Sequence, residues 1–209
     1  WLKERNGKLK WEPKLGGGVG VMGFGAFTAV NPNGWQLDLE GGAQARVLPN
    51  VESDLEAVDF RIGVLVTNRF GLWASKTGYY HLSAHIGDEF LIKNSGFTRL
   101  NYVRDALVFG VSRDILWKGS PDFRLYAESA YAVNHEFGKP WEFQTGVEYS
   151  PLIFNGLRGS PFWAVNGSFR EDRSWDAAGI NITAGWQWRS PATNQRFRVG
   201  VQYYSGDSL

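Results

Sequence analysis

A two-residue rhythm recurs in ten segments of this chain and restricts it to sheet structure. In Trp35-Gln36-Leu37-Asp38-Leu39-Glu40-Gly41-Gly42-Ala43-Gln44-Ala45-Arg46-Val47 the odd positions carry Trp, Leu, Leu, Gly, Ala, Ala and Val, and the even ones Gln, Asp, Glu, Gly, Gln and Arg, unbroken over thirteen residues. Successive side chains of a strand point to opposite faces, so this period is a strand signature. Comparable segments lie at 19–29, 35–47, 57–68, 72–87, 99–112, 122–133, 140–150, 161–170, 179–189 and 195–204. No helix of note is predicted.

Strands of soluble sheets run to about five or six residues, whereas a tilted strand needs about nine to eleven to cross a bilayer. The apolar parity here is built of Gly, Ala and single bulky residues, with aromatics towards the segment ends. A lipid-facing band between aromatic girdles has that distribution. A soluble lipocalin-like barrel would share the alternation with its apolar parity inward, but it has no need of an aromatic belt. The expected fold class is all-β: an antiparallel transmembrane β-barrel of about 10–12 strands with a polar lumen, forming one domain over residues 1–209. Twelve strands would require one ending near Trp1-Leu2 and another beyond Leu209.

Composition enters as a set of exclusions. No run of about eighteen apolar residues exists, so no transmembrane helix is expected, and mean hydropathy is only −0.30 because half of each strand is polar. With Cys 0, disulfide frameworks, thiol catalysis and Cys-ligated zinc are excluded together. The balance of 22 basic and 21 acidic residues leaves a net charge of +1, too little field for a polyanion, so nucleic acid is not an expected partner. Outer-membrane lipid and other envelope proteins are the expected partners, and the bacterial outer membrane the expected location. No cofactor or metal is called for.

Asn31-Pro32-Asn33-Gly34 and Asn68-Arg69-Phe70-Gly71 have tight-turn chemistry, since Asn and Gly accept positive φ. Such turns face the periplasm in outer-membrane barrels, and the longer connections at 49–56, 88–97, 134–139 and 171–177 alternate with them. The stretches 114–121 and 151–159 read as longer connections on the turn side.

Parity also assigns the interior. It places Gln36, Asp38, Glu40, Arg46, Asp59, Arg61, Arg104, Arg124, Glu128, Glu142, Gln144, Glu148, Arg170, Gln187, Arg189 and Arg198 on the lumen side. Side chains of both signs in a narrow barrel pair across it and close it. A lumen network around His85, Arg104, Glu128, Arg61 and Glu148 is therefore expected.

One segment has the residues for chemistry. His81, Ser83 and His85 share a parity, and residues two apart on a strand lie about 6.6–7 Å from one another. His81 could activate Ser83, with Asp88 or Glu89 orienting the imidazole, which would make a nucleophile, base and carboxylate set. Equally, the three are members of the polar lumen network, because Tyr80, Leu82, Ala84 and Ile86 on the other parity claim the apolar face. A zinc site is not expected: His81 and His85 are about 13 Å apart along a strand, and His135 stands in a connection.

Gly78-Tyr79-Tyr80-His81-Leu82-Ser83-Ala84-His85-Ile86-Gly87-Asp88-Glu89-Phe90-Leu91, supported by Asp59-Phe60-Arg61-Ile62-Gly63, Lys139-Pro140-Trp141 and Tyr203-Tyr204-Ser205-Gly206-Asp207-Ser208, resembles a bacterial envelope family known as domain of unknown function 1207. The resemblance implies an outer-membrane barrel and no particular activity. His81-Leu82-Ser83 is similar, more loosely, to the His-x-Ser of outer-membrane phospholipase A and the lipid A deacylases. That similarity implies catalytic roles for Ser83 and His81 and offers Asn101 as a further orienting group. Ala84-His85 stands where the phospholipase carries Asn-Gly. The leading expectation is thus a non-enzymatic barrel of structural, scaffold or narrow-transport type, and the alternative is an acyl-ester hydrolase.

Overall fold

The alternating segments all fold as strands. The computed structural model describes residues 2–3, 9–26, 33–50, 52–96, 102–136, 138–152, 156–171, 178–190, 192 and 196–206. Two short strands, β1 (Leu2–Lys3) and β2 (Leu9–Lys10), pair only with each other within a named sheet. The ten long strands are β3 (Lys14–Ala26), β4 (Asn33–Leu48), β5 (Asp54–Phe70), β6 (Trp73–Ile86), β7 (Tyr102–Trp117), β8 (Ser120–His135), β9 (Trp141–Tyr149), β10 (Ser160–Arg170), β11 (Gly179–Arg189) and β12 (Arg196–Ser205). Each pairs antiparallel with its sequence neighbours in one sheet ordered β3 to β12. Among the described residues β3 and β12 do not pair with each other, so the sheet is a curled half-barrel with two edges.

Chain direction reverses most tightly at two points. Residues 71–72 join β5 to β6, and Lys118-Gly119 joins β7 to β8. Lys118 (φ 51) and Gly119 (φ 85) both take positive φ, as a two-residue hairpin turn requires to match strand twist. The stretch 114–121, expected as a longer connection, is therefore mostly strand, with Trp117 opposite Ser120. At the other end the joins are 49–53, 87–101, 136–140 and 171–178. The longest of them contains a helix that the alternation did not predict, α1 (Asp88–Lys93), too short for a helical period to register. Lys93 ties α1 to the start of β5: it donates to Asp54 and Glu52, and these bonds hold its ammonium above the ordinary lysine value.

Inner and outer faces follow from which side chains reach past their neighbouring strand. Lys76 on β6 pairs with Glu128 on β8, Tyr80 on β6 donates to Glu142 on β9 at 2.9 Å, and Arg198 on β12 pairs with Glu148 on β9. Contacts that skip strands arise only on the side towards which a sheet curls. Arg104 is fully buried there, with its Nε 3.3 Å from Glu142 and its terminal nitrogens donating to the Lys139 and Pro140 carbonyls at 3.3 and 2.6 Å. Leu65, Tyr80, Ala106, Val108, Ala130 and Ala132 make a small apolar cluster among these polar groups.

The opposite face is apolar and exposed. It carries Trp35, Leu39, Phe60, Ile62, Val64, Val66, Leu107, Phe109, Val111, Phe143, Ile182, Val199 and Val201. Aromatics gather on it in two groups. Trp117, Phe123, Tyr149 and Trp163 contact one another near the short turns, with centroids 4.9–6.2 Å apart. Tyr131, Trp141 and Phe143 do so near the longer connections, at 4.9 and 5.6 Å.

Candidate functional site

Strand β6 inverts the pattern of its neighbours. His81 stands directly opposite Ile62 of β5, Ser83 opposite Phe60 and His85 opposite Val58. Directly paired residues share a face, and Ile62 and Phe60 are among the exposed apolar residues of the outer face. The expectation that His81, Ser83 and His85 point inward is thereby reversed, and so is the outward assignment of Tyr80 and Leu82. Tyr80 is 6% exposed, with the Arg61 guanidinium 4.5 Å above its ring, and Leu82 packs on the inner apolar cluster. The inner face at this point is apolar and the outer face polar, so reading parity from polarity selects the wrong side of β6.

Across the outer face a single row of the ladder assembles a charge-bearing cluster. His81 is opposite Asp105 of β7, and Asp105 is opposite Asn134 of β8. Nδ1 of His81 lies 2.7 Å from Oδ1 of Asp105. The Tyr79 hydroxyl donates to the same oxygen at 2.5 Å, and the Asn134 amide donates to Oδ2 at 2.9 Å. The Asp105 side chain is 16% exposed and that of His81 39%. A carboxylate accepts only, so the Nδ1 proton of a neutral His81 points at Asp105 and Nε2 keeps its lone pair. That is the tautomer of a general base.

Ser83 lies two residues along the same face, about 6.6–7 Å away along the strand. Among the described residues no hydrogen bond joins Ser83 to His81; nucleophile and base often close only around substrate. The other expected orienting groups lie elsewhere. Asp88 and Glu89 begin α1, where Glu89 accepts from the Leu55 amide at 3.4 Å, and neither bonds to His81. Asn101 falls outside the described residues. His85 leaves the proposed lumen set, with its ring 6.4 Å from that of Phe60.

Asp105 was not among the residues singled out from sequence. A signal was available: the parity that carries Val103, Leu107, Phe109 and Val111 in β7 also carries one aspartate. An acid on an otherwise apolar strand face needs a reason.

Arg61, Arg104, Glu128 and Glu148 lie on the inner face in several ion pairs, two of whose carboxylates are shared: Glu142 also meets Arg170 at 3.4 Å and Glu148 also meets Arg196 at 3.7 Å. Arg61 meets Glu40 at 3.0 Å, Arg104 meets Glu142, Glu128 meets Lys76, and Glu148 meets Arg198. Two cavities of about 640 and 680 Å³ flank a waist at Lys76, Glu128 and Gln144, which line both. The first is lined in addition by Asp59, Arg61 and Arg170, and the second by Arg69, Arg124 and Glu148. Among the described residues no group of three His, Asp or Glu side chains is placed to hold a metal ion.

No curated protein and no solved structure matches this chain. A family model does, over residues 15–209, which takes in the ten long strands except Lys14 at the start of β3, and the His81–Asp105 cluster: the chain belongs to the family described as Protein of unknown function (DUF1207).

Proposed function

We propose that this protein is an outer-membrane β-barrel whose outer wall carries a serine acyl-ester hydrolase site, acting on phospholipid or lipopolysaccharide, with Ser83 as nucleophile, His81 as general base and Asp105 as the group that orients it. The observation that carries this reading is the His81–Asp105 hydrogen bond on the apolar outer face. An ionisable pair at a lipid-facing position costs stability, and a functional reason is the default explanation for one.

In the proposed reaction, Ser83 Oγ attacks the ester carbonyl as its proton passes to His81 Nε2. The tetrahedral intermediate collapses to acyl-Ser83, and the leaving alcohol takes the proton from His81. Water then attacks the acyl group through the same base, which releases the fatty acid and restores Ser83. Asp105 stays ionised and stabilises the imidazolium between the two transfers. Tyr79 and Asn134 hold Asp105 in place and are positioning residues.

The site's height on the wall supports a lipid substrate. Tyr131, opposite Leu107, neighbours the Asp105–Asn134 pair and belongs to the aromatic group near the longer connections. Aromatic girdles lie at membrane interfaces and longer barrel loops are extracellular, which supports a position for the cluster near the ester zone of the outer leaflet. The test is incubation of the detergent-solubilised protein with phospholipid and with lipopolysaccharide, fatty acid release being read by mass spectrometry, alongside fluorophosphonate labelling mapped by peptide. Release lost in Ser83→Ala, with label on Ser83, is the expected result. Neither release nor label would sink the proposal.

The interior favours a second reading, compatible with the first, for the rest of the barrel. The waist at Lys76 and Glu128 and the paired charges on both sides of it support a closed, structural lumen in place of a transport path. Ion conductance across planar bilayers at the level of a porin would refute that part.

A further inference from the structure

We propose that in the membrane this sheet closes as a ten-stranded barrel, the open edge of β12 pairing antiparallel with the open edge of β3 of the same chain. The proposal rests on the membrane-spanning reading of the outer wall and is independent of the hydrolase site. Among the described residues each of these two strands is paired along one side only. Hydrocarbon offers no partner to backbone N–H and C=O groups, so an open edge is not sustained across a bilayer. Proteins that keep an edge in water blunt it with charge or proline. Leu15–Ala26 of β3 has neither.

Three observations select β12 as the strand that covers β3. Ten strands in antiparallel sequence order bring β12 back running opposite to β3, the direction an antiparallel ladder between them needs. Lys14, Leu15 and Gly16 of β3 line the same cavity, of about 640 Å³, as Tyr204 of β12. The two edges therefore border one space at the end with the longer connections. The third observation is the glycines of β3. Gly16, Gly18 and Gly20 stand opposite Gly42, Glu40 and Asp38 of β4 on the inner face, and Gly17 opposite Gly41 on the outer. Strand β4 does not account for all of them: a Cβ at Gly17 would meet nothing within 4 Å, and one at Gly18 only ordinary contact, 3.4 Å from the Leu39 carbonyl oxygen. Neither glycine takes a positive φ. Glycine inside a strand marks the close approach of another backbone, and the one side of β3 from which it can come is the open edge. On its inner face β12 carries Gln202 and Tyr204, opposite Thr183 and Asn181 of β11. Large side chains of that kind cover edge glycines on a neighbouring strand.

Because the chain has no cysteine, introduced pairs report without background. Val201→Cys is combined in turn with Leu15→Cys, Gly17→Cys and Val19→Cys, outer-face pairs that sample three successive registers of the closing ladder. Leu39→Cys/Val64→Cys, directly paired on the outer face of β4 and β5, is the control. Each protein is reconstituted in phosphatidylcholine liposomes, treated with a short bis-methanethiosulfonate and run on a denaturing gel, and the linked peptides are identified by mass spectrometry. A link within one chain in any of the three pairs, to the extent seen in the control, supports closure, and the pair that reacts reads the register and with it the shear of the barrel. Links between chains alone mean that each edge meets a second copy, and no link while the control reacts means that another strand stands between the edges; either result overturns the proposal. Carbonate extraction of the wild-type protein separates the two levels of failure. Release without detergent refutes the membrane-spanning reading and the closure built on it, whereas protein that resists extraction and shows no link within the chain refutes closure alone.

Discussion

Replacing Asp105 by asparagine separates an orienting carboxylate from a merely polar neighbour. With aspartate, the Nδ1 proton of His81 has an acceptor 2.7 Å away and Nε2 is left basic. An amide that donates to Nδ1 moves the imidazole proton to Nε2 and removes the base. Loss of the orienting charge in a serine triad costs about 10⁴ in kcat, equivalent to about 5.4 kcal/mol in the barrier. KM should hold, because Asp105 does not touch substrate in the proposed reaction. The folded state loses much less. With the amide nitrogen in the place of Oδ1, Tyr79, which donates to that oxygen, loses its acceptor, while Asn134 keeps an oxygen at the Oδ2 position to donate to. One unsatisfied donor costs about 1–3 kcal/mol, which leaves a folded variant whose rate can be measured. The assay is fatty acid release from mixed micelles under single-turnover conditions, with Asp88→Asn and Glu89→Gln as matched controls expected to stay within about threefold of wild type. If Asp105→Asn also stays within about threefold while Ser83→Ala is inactive, the orienting role assigned to Asp105 is wrong.

Three further changes test the two faces. Val64→Arg, near the middle of β5 on the outer face, should cost about 2–4 kcal/mol in denaturant unfolding from liposomes; a cost under about 0.5 kcal/mol would remove Val64 from lipid. Arg104→Ala leaves Glu142 and the carbonyls of Lys139 and Pro140 without the guanidinium that serves all three. It should cost about 3–5 kcal/mol in the same measurement, and a neutral result would contradict the buried pair. Lys76→Met should destabilise more than the Lys76→Met/Glu128→Met double variant, because the single change strands a carboxylate on the inner face; strictly additive effects would mean that the waist pair is not coupled.

Most of the architecture is legible from alternation because a sheet with one apolar face records its register in every second residue. Each of the ten long strands overlaps the segment the period marks, and β11 matches residues 179–189 at both ends, but β3 starts at Lys14 where the period begins only at residue 19, and residues 27–29, 99–101 and 195 of those segments lie outside the described residues. What escaped lies at the ends of elements. Strand β7 runs on to Trp117 and β8 starts at Ser120 because Lys118-Gly119 turns the chain within two residues, whereas the polar residues around them read as loop. The period cannot report α1, whose six residues span under two helical turns. Nor could it report closure: whether β3 meets β12 depends on edges, which carry no parity signal.

The site was half legible, and the missing half has a physical cause. His81 and Ser83 are recognisable by type and spacing, but their direction was inferred by assuming that polar means inward, a rule β6 breaks on both sides at once. Its outer face carries Ser75, Thr77, Tyr79, His81, Ser83 and His85, while its inner face buries Tyr80 and packs Leu82. The register shows that this is no slip, since Gly63 and Ala106 flank Tyr80 on one side and Ile62 and Asp105 flank His81 on the other. A side chain at Gly63 would press on Glu40, and Ala106 is fully buried beside Tyr80, so the inner positions next to the inversion are occupied by small residues in a filled space. Local rules that fail while the surroundings compensate mark functional positions better than they mark defects. A strand that shows six polar-tipped side chains in a row on an otherwise apolar outer face must gain something from them, and the three hydrogen bonds converging on Asp105 indicate where along the strand that gain is made.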